Sequence, residues 1–307
     1  MPKPTPYKIV VPLFDDENNL VNLLNSLIDV GVNTSDIIIS MSGPRGNIDE
    51  LAKKYDFHMV YSDRKLTPSE ARNIGAKEAN AEYFVFLDSD IFVTKMWKEA
   101  LDETTGSHNI KLVGETYDIS RSPHWIEKNW FAHIRKLKRT YLNGGNIIVK
   151  GEAFYSLNGF DEHLETGEDF DFCVRAKIKG ITPSFDERLL VHHEGNPKSV
   201  SQFIKREMWH AKGDLSSFSA FLKSNVMIIS AIYVLIIFLA IILLAFGAYE
   251  LTVFFILISL GLAFVLTLYK LKGTGASFLK STVIMNFYLL GRGIALIESL
   301  LSRPWKA

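Results

Sequence analysis

The chain has 307 residues, room for one domain of about 200 residues and something smaller. Lysine plus arginine and aspartate plus glutamate number 34 each, so no overall charge favours nucleic acid as a partner. The single cysteine, Cys173, excludes an internal disulfide and fits a reducing compartment.

The opening MPKPTPYKIVVP lacks the long apolar run of a signal peptide, so the N-terminal part is expected to stay in the cytosol. KIVVPLF reads as a buried strand, and DDENNLVNLLNSLIDVG as a helix with Leu20, Leu23, Leu24, Leu27 and Ile28 on one face. DIIISMSG is a second strand, DELAKKY a helix, HMVYS a short strand, TPSEARNIGAKEANA a helix and YFVFL another strand. Thr67, Pro68 and Glu70 form a capping-box pattern at the start of that last helix. Apolar strands alternating with helices predict a parallel sheet covered on both faces. In such sheets ligands gather at the carboxyl ends of the strands.

After YFVFL come Asp88, Ser89 and Asp90. Two acids at a strand end commonly make an Asx-type turn. Beside a central buried strand they also need partners, and a divalent cation bridging to a substrate phosphate would supply them. Both readings stand at this point. The insert SRSPHWIEKNWFAHIRKLKRTY, a helix expected to start at Ser122 and Pro123, mixes Trp125, Trp130 and Phe131 with Lys128, Arg135, Lys136, Lys138 and Arg139. It is either a solvated face over a core contact or a surface for anionic headgroups and a lipid-diphosphate acceptor.

ETGEDFDFCVRAKIKG sets acids at a helix start, where they favour the helix dipole. Thr166 is the expected cap, with the phenylalanines and Val174 anchoring the helix in the core. In SVSQFIKREMWHAKGDL, Arg206, Trp209, His210 and Gly213 share one helix face. That face is either an ordinary surface leading to a membrane or part of an active-site wall.

Two charge-free runs follow. Residues 226–247 span roughly 33 Å and 251–269 roughly 28 Å, against a bilayer core of about 30 Å. We read a transmembrane hairpin. Lys212, Lys223, Lys270 and Lys272 flank it and Glu250 marks its turn, which places both ends in the cytoplasm. Residues 275–302 repeat Val283, Phe287, Leu290, Ile294, Ile297 and Leu301 at helical spacing, interrupted by Lys280, Arg292 and Glu298. An in-plane amphipathic helix is the first expectation and a third span the alternative.

The ordered set VPLFDDENNL, SEARNIGAKEANAEYFVFLDSD, GGNIIVKGEAF, NGFDE and TGEDFDFCVR resembles the family-2 glycosyltransferases of the GT-A fold, over roughly residues 8–214. The resemblance implies a Rossmann-like α/β nucleotide-diphospho-sugar transferase domain over residues 1–222. A membrane anchor would follow over 223–307. By the same resemblance Pro12, Phe14 and Asp16 line the nucleoside pocket and Arg72 approaches the nucleotide. Asp88 contacts the ribose and Asp90 the metal, Mn²⁺ or Mg²⁺, with Asp88 close to that metal too. Asp169 is the catalytic base and Glu168 positions the acceptor. His193, preferred over His192, is a further metal ligand, and Arg206 and Trp209 lie near the diphosphate.

Two departures stand out. The second strand ends SMSG, with Met41 and Ser42 where the family commonly carries the acid that contacts the base. Gln202, Arg206 and Trp209 have the residue types of the processive Gln-x-x-Arg-Trp motif but not its spacing, which disfavours polymer synthesis. The expected protein is therefore a multi-pass enzyme of the cell membrane with a cytoplasmic catalytic domain. It inverts configuration as it moves sugar from a nucleotide-sugar donor to a hydroxyl acceptor, lipid-linked or glycan, in cell-envelope glycan or glycolipid synthesis. The rivals are a polyprenyl-phosphate glycosyltransferase and a membrane-anchored nucleotide-sugar-binding protein that has lost catalysis.

Overall fold

A computed structural model describes residues 6–107 and 109–302. In chain order the first elements are β1 (Tyr7–Leu13), α1 (Glu17–Asp29), β2 (Ile37–Ser42), α2 (Ile48–Tyr55), β3 (His58–Ser62), α3 (Pro68–Glu78) and β4 (Tyr83–Leu87). There follow β5 (Ile91–Phe92), α4 (Lys95–Ser107), β6 (Leu112–Gly114), β7 (Tyr117–Asp118), α5 (Ala132–Ile134), β8 (Asn146–Lys150) and α6 (Gly151–Ser156). The rest are α7 (Glu168–Ile178), β9 (Ser184–Phe185), β10 (Val191–His193), α8 (Val200–Asp214), α9 (Phe218–Lys223), α10 (Asn225–Ala245), α11 (Tyr249–Leu271) and α12 (Phe278–Ser302).

The chain divides into two compact units, Met1–Arg121 with Lys138–Gly195, and Ser122–Leu137 with Asn196–Ala307. By packing, the insert and α8 therefore group with the C-terminal helices, and the chain leaves the first unit at Gly195. The boundary expected from sequence was residue 222.

The first unit is built on a sheet of order β3-β2-β1-β4-β8-β6-β9. The first four strands are parallel, as expected, and β8 then pairs antiparallel with both β4 and β6. Alternation along each strand feeds two cores. Ile9, Val11 and Leu13 face the layer made by α1, α2 and α4. Val10, Phe84 and Phe86 face α3, α6 and α7. From β1 the chain runs through α1 to β2 on one side, and from β3 it crosses through α3 to β4 on the other. That reversal opens a crevice at the carboxyl ends of β1 and β4. A smaller sheet, β5-β10-β7, lies beyond the end of β4.

Thr67 caps α3 as read from the sequence: its Oγ1 accepts from Glu70 N (3.2 Å), and Glu70 Oε2 accepts from Thr67 N (2.8 Å). Other local expectations change. Ile28 is 43 % exposed, off the buried face of α1. Thr166 does not cap α7; Gly167 takes that position with φ 84°, and no side chain caps it. Phe172 is fully buried while Phe170 and Val174 are exposed, because residues two apart on a helix cannot share a face.

In the second unit, α10, α11 and α12 are each long and apolar enough to cross a membrane, with mean hydropathies of 3.2, 2.7 and 1.4. The insert starts its helix at Trp125 and passes through a π-turn, Glu127–Phe131, into α5. That turn buries Glu127, which accepts from Lys198 Nζ (2.7 Å) and His124 N (2.9 Å). Trp130 packs on Phe203 of α8 and Tyr288 of α12. Lys136 of the insert donates to Thr274 O (2.9 Å), so that cation is committed to the turn between α11 and α12.

Candidate active site

The crevice holds the acids singled out by sequence. At the end of β1, Phe14 is 44 % exposed, and Pro12 sits half-buried two residues earlier. Asp16 accepts from Asn19 Nδ2 and from Ser89 Oγ, both at 2.9 Å, which ties the end of β1 to the loop after β4. Burial raises the Asp16 pKa above the usual carboxylate range, against the hydrogen bonds from Ser89 and Asn19.

Asp88, Asp90 and His193 each present a ligand atom, and these atoms all lie within 4.8 Å of one another. Strand register explains the meeting: β10 pairs antiparallel with β5, His193 opposite Ile91, which lays the imidazole beside Asp90. His193 Nε2 is 3.3 Å from Asp90 Oδ2. His192, one residue earlier, points to the other face and meets Ile119 O through Nδ1. Asp90 Oδ1 is buried without a hydrogen-bond partner, and burial raises the Asp90 pKa while His193 pulls it down. A buried carboxylate oxygen with an open lone pair, beside a second carboxylate and an imidazole, is a hard donor set that fits Mn²⁺ or Mg²⁺. A Cβ at Gly195 would collide with the Asp90 carboxylate, so glycine there leaves that oxygen room.

Arg72 joins the two halves of the site. It is 3 % exposed, and its guanidinium donates to Asp88 Oδ1 and to Glu168 Oε1, both at 2.7 Å. Burial works against its charge, but Asp88 and Glu168 outweigh it, and its pKa is raised. Both guanidinium ends are thus held by carboxylates.

Across that link stands Asp169. Its carboxylate accepts from Phe170 N (2.8 Å) and Gly144 N (3.2 Å). Burial first, then the neighbouring Glu168, raise its pKa to about 6, although those backbone donors favour the charged form. Asp171 instead pairs with Arg175 (2.6 Å), one turn along α7. The glycines of NGGN let the chain come this close: a Cβ at Gly145 would collide with the Asp88 carboxylate, and one at Gly144 would sit 3.1 Å from the Arg72 guanidinium.

Three residues of the site escaped the sequence reading. Tyr117 donates to Asp88 Oδ2 (3.2 Å), accepts from Gly145 N (2.9 Å), and stacks on the His193 ring at 4.8 Å. Burial, then Asp88, raise its pKa well above normal, so it stays a donor. Asn146 is fully buried, donating to Glu115 O and Leu189 O and accepting from Trp97 Nε1, which fixes β8 against the segment leading to His193. Asn73 clasps Phe160 through both backbone groups (2.8 and 2.9 Å) and holds the loop that leads to α7. Arg206 and Trp209 belong to the second unit. There Arg206 pairs with Glu207 (2.8 Å) and lies over the Phe131 ring.

The description Glycosyl transferase family 2 matches residues 8–157, a span holding β1, both acids after β4, and the NGGN strand. The chain carries a family 2 glycosyltransferase domain. Among relatives of this chain, the pre-mycofactocin glycosyltransferase of Mycobacterium tuberculosis (strain ATCC 25618 / H37Rv) is 24% identical over 199 residues, covering 61% of this chain and 42% of that protein. The chain thus spans less than half of that relative's length. The putative glycosyltransferase EpsH of Bacillus subtilis (strain 168) is 22% identical over 241 residues, covering 71% of this chain and 69% of that protein. In fold, the chain is similar to the mannosyltransferase PcManGT from Pyrobaculum calidifontis, solved in complex with GDP-Man and Mn²⁺. The TM-score is 0.59 at 12% identity, over 99% of this chain and 89% of that one. The fold is GT-A.

Proposed function

We propose that the transferase moves a sugar, with inversion, from a nucleoside-diphosphate donor to a hydroxyl of a lipid-linked acceptor, and that the reaction depends on Mn²⁺ or Mg²⁺. The observation that carries this reading is the pairing of two chemistries about one buried arginine. On one side of Arg72 stand Asp88, Asp90 and His193, and on the other Glu168 and Asp169.

Asp88, Asp90 and His193 would hold the cation, which as a Lewis acid offsets the charge growing on the departing diphosphate. Phe14, Pro12 and Asp16 line the nucleoside side of the crevice, and Asp88 also addresses the ribose. Inverting transfer is an in-line displacement through an oxocarbenium-like transition state. Asp169 takes the acceptor hydroxyl's proton as the new bond to the anomeric carbon forms, and Glu168 positions that hydroxyl. A base whose pKa lies near 6 is ionised at neutral pH and still basic enough to accept a proton.

The membrane-capable helices support a lipid-linked acceptor, because holding enzyme and acceptor in one plane raises their effective concentration. We assign α10 and α11 to a hairpin whose lysine-flanked ends lie in the cytoplasm.

The test is a thermal-shift screen of the full chain in detergent against nucleotide-sugars, with and without Mn²⁺. A donor that binds raises the melting temperature only when the metal is present, and Asp90→Asn removes the metal-dependent part. Stabilisation that is equal in Mn²⁺ and in EDTA would contradict the metal assignment.

A further inference from the structure

We propose that α12 does not cross the membrane but lies in its plane, at the headgroup–acyl boundary beside the lysine-bearing ends of the α10–α11 hairpin. The inference rests on the reading of α10 and α11 as a membrane hairpin. By length and composition α12 would pass as a third span, and only its neighbours decide otherwise.

One flank of α12 lies against α8. A Cβ at Gly291 would come 2.9 Å from Ile204 O and 3.1 Å from Glu207 Cβ. Arg292 pairs with Asp214 (2.7 Å) and reaches Glu207 (3.4 Å). Further along, Lys205, Trp209 and Lys212 line a groove with Ala295, Glu298 and Ser302. The charged helix α8 therefore accompanies α12 from Gly291 to its end. If α12 spanned the bilayer, Lys205, Arg206, Glu207, Lys212 and Asp214 would enter hydrocarbon with it, where charged side chains are rare and costly.

The other flank packs on the first half of α10, where Met227 clusters with Ala295. Tyr233 donates to Asn286 (2.9 Å), while Gly293, seven residues on, has Val234 and Ser230 against it. Roughly 14 Å of α12 thus lies along roughly 10 Å of α10. These contacts all lie in the half of α10 that begins at Asn225. On α11 it touches the matching end, where the Lys270 ammonium lies 4.9 Å from the Tyr288 ring centre.

What α12 leaves uncovered is apolar. Leu279 and Val283 near its start and Ile297 and Leu301 near its end share one angular position and are exposed, at 78, 47, 43 and 84 %. A helix with a charged companion on one side and an open apolar stripe on another fits the boundary between headgroups and acyl chains. The partner of this surface is thus the bilayer itself, with the stripe dipping into the outer acyl layer.

The experiment is nitroxide depth measurement on the full chain in phospholipid nanodiscs. Single labels at Leu279→Cys, Val283→Cys, Ile297→Cys and Leu301→Cys are compared with Leu260→Cys in the middle of α11; Cys173 is fully buried and stays unlabelled. The expected result is one shared shallow depth, about 5–10 Å below the headgroups, for all four α12 labels, with Leu260 deep. In a spanning helix Leu279 and Leu301 would lie roughly 33 Å apart along the normal, and a depth gradient of that kind overturns the proposal while leaving the hairpin intact. A shallow Leu260 overturns the hairpin reading and the proposal with it. A fold-independent second measurement is an epitope after Ala307 in sealed vesicles, expected on the same side as an epitope before Met1; the opposite side refutes the in-plane helix.

Discussion

Asp169 is held in its protonated form up to about pH 6 by burial and by Glu168, and this has two consequences of opposite sign. Turnover should fall as pH drops through about 6, because the base must be ionised; a pH–rate profile on saturating donor checks this. Folding stability runs the other way. A carboxyl whose folded pKa is raised contributes fully at low pH and loses that contribution as pH rises through its folded value. At pH 7.5, Asp169→Asn should therefore melt higher than the wild type, by up to about 2 kcal/mol in stability, while turning over about 10²–10⁴ times more slowly. Tyr117→Phe keeps the stack on His193 but removes the hydroxyl between Asp88 and Gly145. Its expected effect is a metal-dependent donor affinity weaker by about 5–10-fold, read by Mn²⁺ titration, with kcat little changed.

At the scale of elements, the site is a set of strand ends held in register by loop clasps. Asn73 joins α3 to the loop before α7, and its removal leaves the buried Phe160 N–H and C=O without their partner. Asn73→Ala should cost about 2–3 kcal/mol, against about 1 kcal/mol for losing the Thr67 cap, and thermal melts of the two variants rank them. The α/β alternation, the acids after β4 and the helix carrying Asp169 were legible in the sequence because periodicity and strand ends are local. Tyr117 was not, because it reaches Asp88 and His193 only through the pairing of β7 and β5 with β10. The cap of α7 was misread because a threonine one residue too early yields to a glycine that can take positive φ. Phe170 was misplaced because alternation is a strand period and α7 is a helix.

At the scale of the whole molecule, a GT-A domain and a unit with three membrane-capable helices share one chain, and the packing boundary at Gly195 gives the insert and α8 to the second unit. On the proposed hairpin reading, the flanking lysines and the charges of α8 place the water-facing parts of that unit on the side where α10 begins and α11 ends. The central claim is that Asp169 performs the proton transfer at a site whose donor is held separately by the cation. It is tested by measuring, on one preparation with Mn²⁺ and a lipid-linked acceptor, both donor dissociation constant and sugar transfer for wild type and Asp169→Asn. The account predicts an unchanged dissociation constant and transfer reduced at least about 10²-fold on a hydroxyl acceptor. Near-normal transfer by Asp169→Asn would contradict it.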